Sequence, residues 1–212
     1  MNLGLLGGTF NPVHNAHLAI ADEAVQVCGL DRLLLLPAPL PPHKMVEGAV
    51  SYHHRRAMVA LAIAGRPQWA VSDIESRRHG PSYTVDTLAA VQAQWPQARL
   101  FFIIGDDSFR DLPTWKDWLL LFDRASLVVA TRPGVETDRR ILAPVAIDPR
   151  LCYDSKVPEI PCKSGHSVVF LTRTHLAFSS SEIRQRIAAG QTVADSVPAP
   201  VAAYINQHQL YR

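Results

Sequence analysis

The alternation of short apolar segments with segments of helical periodicity is the feature that most constrains the fold of this chain. The segments NLGLL (residues 2–6), RLLLLP (32–37) and RLFFIIG (99–105) have the continuous apolar character of strands that are buried on both faces. Between the first two lies NAHLAIADEAVQVCG (15–29), with apolar residues at helical spacing and a glycine where the helix should end. The sequence therefore predicts an α/β fold, a doubly wound parallel sheet with helices on both faces.

The same alternation extends along most of the chain. A helix within 82–96 is expected to be capped by Ser82 or Thr84 and closed by Pro96. Residues 133 to about 166 show no sustained period, which predicts an irregular connection that is interrupted by prolines and contains a short helix. Further strands are expected near 69–75, 126–134 and 167–172, and further helices within 51–65, 179–190 and 198–209.

Size and composition predict a single domain in a reducing compartment. A chain of 212 residues with 48% hydrophobic residues can bury one sizeable core, so we expect one domain, 1–212, with a C-terminal helical part from about residue 179 packed on it. No apolar run is long enough to cross a membrane, and the N-terminus lacks a basic signal-peptide region, which predicts a soluble, cytoplasmic protein. The three cysteines form no CxxC pair, so they indicate no disulfide framework. A formal charge of +2 is too small for a duplex-binding surface, so no nucleic-acid partner is expected.

The segment GGTFNPVHNAH (7–17) follows the first predicted strand directly. Gly7 and Gly8 would let phosphates approach the backbone, and the helix that follows offers free N–H groups and the positive end of its dipole. His14 and His17 are three residues apart at the start of that helix, so both imidazoles lie on one face. A structural turn and a zinc-binding pair are the alternatives, but no carboxylate or cysteine stands at a conventional zinc-ligand spacing. Contact with phosphates fits this segment best, and no metal site is predicted.

Two further segments stand where strands or loops lead into helices. In SSSEIR (179–184), serine hydroxyls and backbone N–H groups precede a helix and Arg184 can reach the same anion; an ordinary N-cap with a solvated arginine is the alternative. In IGDDSFRDLPTWKDW (104–118), Gly105 permits close approach to the backbone, and Asp106 could hold a pair of ribose hydroxyls. Trp115 and Trp118 have helical spacing, so at least one is expected in the core, and the other could stack on a ligand ring.

Taken together, five motifs resemble those of one enzyme family. The segments GGTFNPVHNAH, PPHK, GPSYTVDTL, IGDDSFRDLPTW and FSSSEIR, in this order and spacing, resemble the bacterial nicotinate-mononucleotide adenylyltransferases of the nucleotidyltransferase superfamily with the HxGH motif. The resemblance covers essentially the whole chain, down to the C-terminal YINQHQLYR. The first and last motifs alone would identify only the superfamily, whereas the five jointly are specific.

The resemblance implies a Rossmann-like fold and a reaction. Nicotinate mononucleotide and ATP would give nicotinate adenine dinucleotide and pyrophosphate, a step of NAD synthesis, with Mg²⁺ carried largely by the ATP phosphates. The implied catalytic residues are His14, His17 and Arg184. The implied ATP-binding residues are Gly7, Gly8, Thr9, Phe10, Gly105, Asp106, Ser180 and Ser181. The implied residues for nicotinate mononucleotide are Tyr83, Thr84 and Trp115, with His43 and Lys44 as mobile contributors to the phosphate region.

Two positions depart from the family's usual pattern. Asn11 stands where the family usually has Asp, and Ala16 stands where the HxGH motif has Gly. Asn11 still favours a turn before proline, so only a role that requires a negative charge is affected. Ala16 suits the start of a helix and narrows the space for a close neighbour.

The implied chemistry needs no general base, because the attacking phosphate oxygen is already ionised at neutral pH. Catalysis is then expected to consist of holding two phosphates in line, with the histidines neutralising charge on the triphosphate. Two other functions remain open from the residues alone: a regulatory module that binds nucleotide without turnover, and an adenylyltransferase for another phosphorylated acceptor. The oligomeric state is open.

Overall fold

The structure is a computed structural model that describes residues 1–39, 50–78, 80–131, 136–173 and 178–212. The strands of these residues form one seven-stranded sheet. Across the sheet the strands are ordered β3-β2-β1-β4-β5-β7-β6. His43 and Lys44 lie outside the described residues. The strands are β1 (Asn2–Gly8), β2 (Arg32–Pro37), β3 (Trp69–Val71), β4 (Arg99–Gly105), β5 (Ser126–Ala130), β6 (Glu159–Pro161) and β7 (Ser167–Leu171).

Most helices of the described residues begin and end close to where the hydrophobic pattern places them, but the five-residue helix at 106–110 was not predicted. Gly29 follows α1 with φ of +56°, the left-handed conformation that glycine adopts easily at the end of a helix. Ser51 caps α2, because its side chain accepts the backbone N–H of His54. The helices are α1 (Asn15–Cys28), α2 (Tyr52–Ala62), α3 (Thr84–Gln94), α4 (Asp106–Arg110), α5 (Ser180–Ala188) and α6 (Ala199–Gln207).

The sheet is mostly parallel, as the sequence predicts. Parallel pairing joins β1 to β4, β4 to β5 and β5 to β7, with Leu3 opposite Leu100 and Phe102 opposite Leu127. The strand order reverses between β1 and β4, as in doubly wound folds. The edge strand β6 is the exception, because it pairs with β7 in the antiparallel direction. The predicted doubly wound, Rossmann-like parallel sheet is confirmed, and β6 adds one antiparallel strand at its edge.

The described chain forms two compact units. One comprises Met1–Leu6, Ile20–Leu33 and Tyr83–His175, and the other comprises Gly7–Ala19, Leu34–Ser82 and Leu176–Arg212. In the first unit, fully buried side chains such as Leu3, Ile103 and Val128 fill the interior around the sheet. In the second unit, Phe10, Met58 and Val201 are similarly buried. The single domain inferred from chain length stays a prediction.

Two local predictions differ from the structure. The region from 136 to 166 contains two 3₁₀ helices, Arg139–Leu142 and Pro149–Tyr153, and the strand β6, rather than one short helix. Such short elements leave no periodic signal in a sequence. The N-cap of α3 is Tyr83, which makes no side-chain capping bond, while Thr84 is already helical and Ser82 is buried. Among the described residues, no helix is long and apolar enough to span a membrane.

Candidate active site

The loop between β1 and α1 is held by side chains that bind its carbonyl oxygens. Arg55 Nη1 donates to Thr9 O at 2.6 Å, and the same guanidinium donates to Pro39 O and Val50 O. Arg184 Nη1 donates to Asn11 O at 3.0 Å. Because Arg55 is only 3% exposed and its bonds go to backbone oxygens, it acts as an internal brace for this loop.

The histidine pair stands at the end of the same loop. The rings of His14 and His17 stack with centroids 3.7 Å apart, which confirms that the two imidazoles share one face. The backbone N–H of His14 donates to His17 Nδ1 at 3.2 Å, so the proton of a neutral His17 ring lies on Nε2. The edge of the Phe10 ring contacts His17 at a centroid distance of 5.0 Å. His17 is thus a fixed N–H donor.

Burial makes both imidazoles neutral near pH 7. Desolvation lowers the pKa of His14 from 6.5 to about 4, and His14 is 5% exposed. Desolvation also lowers the pKa of His17 well below its usual value, and the neighbouring His14 lowers it further. The sequence-based expectation that the histidines supply positive charge therefore needs correction: in this structure they supply hydrogen-bond donors, and a nearby polyphosphate would have to raise their pKa before they could carry charge.

The three serines at the start of α5 have different partners. Ser179 is an N-cap, since its hydroxyl accepts the backbone N–H of Glu182 at 3.1 Å. Ser180 donates to Pro12 O at 3.0 Å, and Ser181 Oγ accepts from Arg184 Nη2 at 3.3 Å. The ordinary capping alternative thus explains Ser179 alone. Ser180 and Arg184 are both brought to the loop that leads to the histidines.

The glycines after β1 differ in their surroundings. A Cβ added to Gly8 would lie 3.2 Å from Cζ of Phe10, so Gly8 is small partly because that ring packs against it. Gly7 is exposed at the end of the strand. Phe10 has φ of +48° and is 1% exposed, which places its ring in the interior. A glycine at position 8 is therefore favoured by the packing of Phe10, whether or not a ligand also approaches the backbone there.

A buried carboxylate follows β4. Asp106 is 2% exposed; its Oδ1 accepts the hydroxyl of Thr137 at 2.6 Å, and its Oδ2 lies 3.4 Å from Nε of Arg110. Among the described residues, apart from its two chain neighbours, no heavy atom lies within 4 Å of the position that a Cβ on Gly105 would take, so the backbone there leaves room for a close neighbour. Thr137, which orients the carboxylate, was not predicted, because it lies in the stretch that has no periodicity.

The start of α3 carries the residues predicted to face a pyridine ring. The ammonium of Lys116 lies 4.8 Å from the centre of the Tyr83 ring and 3.2 Å from Oδ2 of Asp86. Asp86 is in the first turn of α3, close to the N–H groups of Thr84 and its neighbours. Lys116 was not singled out in the sequence, although it directly follows Trp115.

The two tryptophans of this segment are both half-buried, so the prediction that one of them lies in the core is wrong. The Trp115 ring meets Phe102 edge to face at 6.5 Å, and the Trp118 ring meets Phe122 in the same way at 6.0 Å. Each ring is thus partly exposed and partly packed against a phenylalanine.

The described donors favour anions over metal ions. Imidazole, hydroxyl and guanidinium groups surround the loop at 9–12, and these suit phosphate oxygens, whereas Mg²⁺ prefers oxygen ligands. Within the described ranges, no group of three or more His, Cys, Asp or Glu side chains could hold a metal ion.

Comparison with known proteins identifies the class first. Residues 5–186 match the model of the cytidylyltransferase-like family, so the fold and the phosphate-suited loop belong to a nucleotidyltransferase. The chain is 48% identical to a protein of Syntrophotalea carbinolica and 45% identical to one of Geobacter sulfurreducens, in each case over 100% of this chain and 98% of the relative. Both relatives are named "Probable nicotinate-nucleotide adenylyltransferase". The chain belongs to the nicotinate-nucleotide adenylyltransferase family.

Solved structures support the fold. A Plasmodium falciparum nicotinic acid mononucleotide adenylyltransferase complexed with NaAD superposes with a TM-score of 0.76 at 19% identity, over 99% of this chain and 97% of that one. The same enzyme complexed with APC superposes with a TM-score of 0.74, also at 19% identity, over 99% of this chain and 96% of that one. At this identity the similarity establishes the α/β, Rossmann-like architecture.

Proposed function

We propose that this chain transfers AMP from ATP to nicotinate mononucleotide, which gives nicotinate adenine dinucleotide and pyrophosphate. The family membership supports this reaction, and the full-length relatives carry its name. The observation that carries the proposal in this structure is the loop at 9–12, which brings a stacked histidine pair, Ser180 and Arg184 together.

The reaction needs positioning and charge stabilisation more than proton transfer. An ionised phosphate oxygen of nicotinate mononucleotide attacks the α-phosphorus of ATP, a new P–O bond forms, and the bond to the departing pyrophosphate breaks. His17 would donate from Nε2 to a phosphate oxygen, and Arg184 would stabilise the pyrophosphate that leaves. His14 would orient His17 by its backbone bond and by ring stacking.

The other sequence-predicted residues would bind the two nucleotides. Gly7, Gly8, Thr9 and Phe10 would lie along the ATP phosphates, together with Ser180 and Ser181. Asp106, oriented by Thr137, would accept hydroxyls of the adenosine ribose beside Gly105. Mg²⁺ would be carried by the ATP phosphates, where it would offset their negative charge. His43 and Lys44 would contribute to the phosphate region of the site.

The nicotinate half would bind near the start of α3. The backbone N–H groups around Thr84 can donate to the carboxylate of the ring, and Trp115 can stack on the ring face through its exposed part. We also propose that the enzyme works in the cytoplasm with no nucleic-acid partner, in keeping with its three free cysteines and mild charge.

The decisive experiment measures products with different acceptors. The purified chain is incubated with ATP, Mg²⁺ and one acceptor at a time: nicotinate mononucleotide, nicotinamide mononucleotide or phosphopantetheine. Pyrophosphate release and dinucleotide formation are followed, with a His14→Ala/His17→Ala variant as the control for contaminating enzyme. We expect fastest turnover with nicotinate mononucleotide. No pyrophosphate with any acceptor would favour a regulatory binding module, and release only with another acceptor would identify a different transferase.

A further inference from the structure

The C-terminal end of the chain reaches the loop that precedes the histidines. After α6 the chain turns through two residues with positive φ, Gln209 at 51° and Tyr211 at 66°. The turn delivers the hydroxyl of Tyr211 to Oδ1 of Asn11, at 2.9 Å. Two hundred residues of sequence separate the donor and the acceptor.

Asn11 is the residue through which this contact acts. It is 2% exposed, and its Oδ1 also accepts the backbone N–H of Val50 at 3.3 Å. The backbone oxygen of the same residue accepts from Arg184, and the next carbonyl, that of Pro12, accepts from Ser180. An Asn11 side chain held in one orientation therefore fixes the peptide groups to which Arg184 and Ser180 are bound.

The hydroxyl of Tyr211 is suited to a permanent donor role. Burial raises the pKa of the Tyr211 phenol, although the positive charges of Arg184 and Arg55 lower it in part. The phenol consequently keeps its proton throughout the neutral pH range and can donate to the amide oxygen.

We infer that Tyr211 is a positioning residue for the triphosphate site: through Asn11, the end of the chain sets the orientation in which Arg184 and Ser180 meet the phosphates of ATP. This inference rests on the proposed function, since it needs the loop to bind ATP. The inferred role is indirect, through Asn11, and Tyr211 lies outside all five sequence motifs.

The alternative is that the C-terminal tail, residues 208–212, has a purely structural role. The tail is anchored independently of the hydroxyl, because Leu210 is 8% exposed and its N–H donates to Ile205 O at 3.0 Å. In Tyr211→Phe the ring and this anchor are kept and only the hydroxyl is lost. Asn11 also keeps its bond from Val50, so the substitution tests orientation with little disturbance of packing.

The test compares Tyr211→Phe with Tyr204→Phe. Tyr204 is a matched control, because it lies in α6 and its hydroxyl contacts His54 Nδ1 at 3.0 Å rather than Asn11. Calorimetry measures the Kd of Mg·ATP without the second substrate, and steady-state kinetics measure both KM values and kcat. For Tyr211→Phe we expect Kd and KM for ATP to rise about fivefold, the effect of one neutral hydrogen bond, with an unchanged KM for nicotinate mononucleotide. Tyr204→Phe should match the wild type.

A second set of variants tests the route through Arg184 and Ser180. In an Arg184→Ala/Ser180→Ala background, adding Tyr211→Phe should change the Kd of Mg·ATP by less than about twofold, because both groups being positioned are gone. Unchanged ATP binding in Tyr211→Phe, or a loss that persists in the double-alanine background, would overturn the inference. A lower melting temperature with equal effects on both substrates would do the same. Failure of the proposed function is distinguishable, since it would abolish dinucleotide formation in the wild type itself.

Discussion

His17 differs from most surface histidines in that its tautomer and its charge are both set by the protein. Its Nδ1 accepts the backbone N–H of His14, and burial together with the His14 ring keeps its pKa low. At this scale the structure changes the chemical role expected from the sequence, from a cation to an oriented N–H donor. The two residue-scale predictions follow from that difference.

Replacing His17 with alanine should reduce turnover with little effect on folding. The effect on folding should be small because the side chain is only half-buried. A donor aimed at a transferring phosphoryl group typically contributes about 3 kcal/mol, so we expect kcat to fall by about 10²-fold or more. Steady-state kinetics and a thermal melt check the two halves of the prediction. His53→Ala, at an exposed histidine of α2, is the control. Wild-type turnover in His17→Ala would remove the residue from the mechanism.

His14 should make the free energy of unfolding depend on pH. Its pKa is about 4 in the folded protein and 6.5 in an unfolded chain, so the unfolded state binds more protons between these values. Stability is then fully present above pH 6.5 and is lost as the pH falls toward 4, by about 2–3 kcal/mol near pH 4.5.

Urea unfolding near pH 7 and near pH 4.5 measures this loss. His14→Phe keeps a ring in the stack but cannot be protonated, so its loss of stability should be smaller than that of the wild type by about the same 2–3 kcal/mol. Titrating groups remote from His14 cancel in the comparison, whereas His17, whose pKa is lowered in part by His14, changes the difference in the same direction. Equal losses in the two proteins would show that His14 does not titrate with a depressed pKa.

At the scale of elements, the start of α3 combines opposing charges. Its N–H groups and dipole favour a carboxylate, whereas Asp86 in the first turn would repel one. Lys116 lies 3.2 Å from Asp86 and offsets its charge. Lys116 therefore makes the helix terminus better suited to an anionic ligand.

This arrangement predicts a preference for nicotinate over nicotinamide mononucleotide. An amide would place an NH₂ group against N–H donors, so we expect kcat/KM to favour the acid by at least tenfold to a hundredfold, on the order of 1–3 kcal/mol. Lys116→Met should reduce the preference by about threefold, a modest effect because the ion pair is half-exposed. Competition kinetics on the two mononucleotides measure both effects.

The matched control for Lys116 is Arg77→Met, which removes an exposed cation paired with Asp73 at 3.0 Å. Its preference should equal that of the wild type. Equal use of the two mononucleotides by the wild type would refute the role of the helix terminus. Replacement of Trp115 by alanine should raise KM for both mononucleotides alike, because stacking does not distinguish acid from amide.

At the scale of the whole molecule, glycines in strands and at strand ends serve different purposes. A Cβ on Gly4, in β1, would lie 2.5 Å from Cδ1 of Leu30 and 2.8 Å from Cδ1 of Leu33. A Cβ on Gly105, at the end of β4, would meet no heavy atom within 4 Å in the part of the chain that the structure describes, its chain neighbours aside. Gly4 is thus required by packing, and Gly105 is not.

Alanine substitutions at these two positions should separate stability from binding. Gly4→Ala should lower the free energy of unfolding by about 1–3 kcal/mol, because two packed leucines must move. Gly105→Ala should change it by less than about 0.5 kcal/mol and should instead weaken ATP binding, if the backbone there meets the adenosine. Urea unfolding and calorimetry measure these effects. A destabilised Gly105→Ala variant with normal ATP affinity would reverse the assignment.

Local pattern in the sequence determined most of the elements and the pairing of the two histidine rings. Continuous apolar runs predict β1, β2 and β4, because a parallel strand is buried on both faces and needs no information from its partners. The spacing of His14 and His17 places their rings together, since three residues are close to one helical turn. Both signals come from residues that lie near one another in the chain.

Only the tertiary structure decided the contacts between distant segments. Tyr211 meets Asn11 across two hundred residues and Thr137 meets Asp106 across thirty-one, and neither pair leaves a periodic signal. The direction of β6 depends on its pairing with β7, and its three residues are too few to predict. The protonation of the histidines also depended on the fold, because the groups that pack around each ring determine its desolvation and hence its pKa. Those groups cannot be read from the order of residues along the chain.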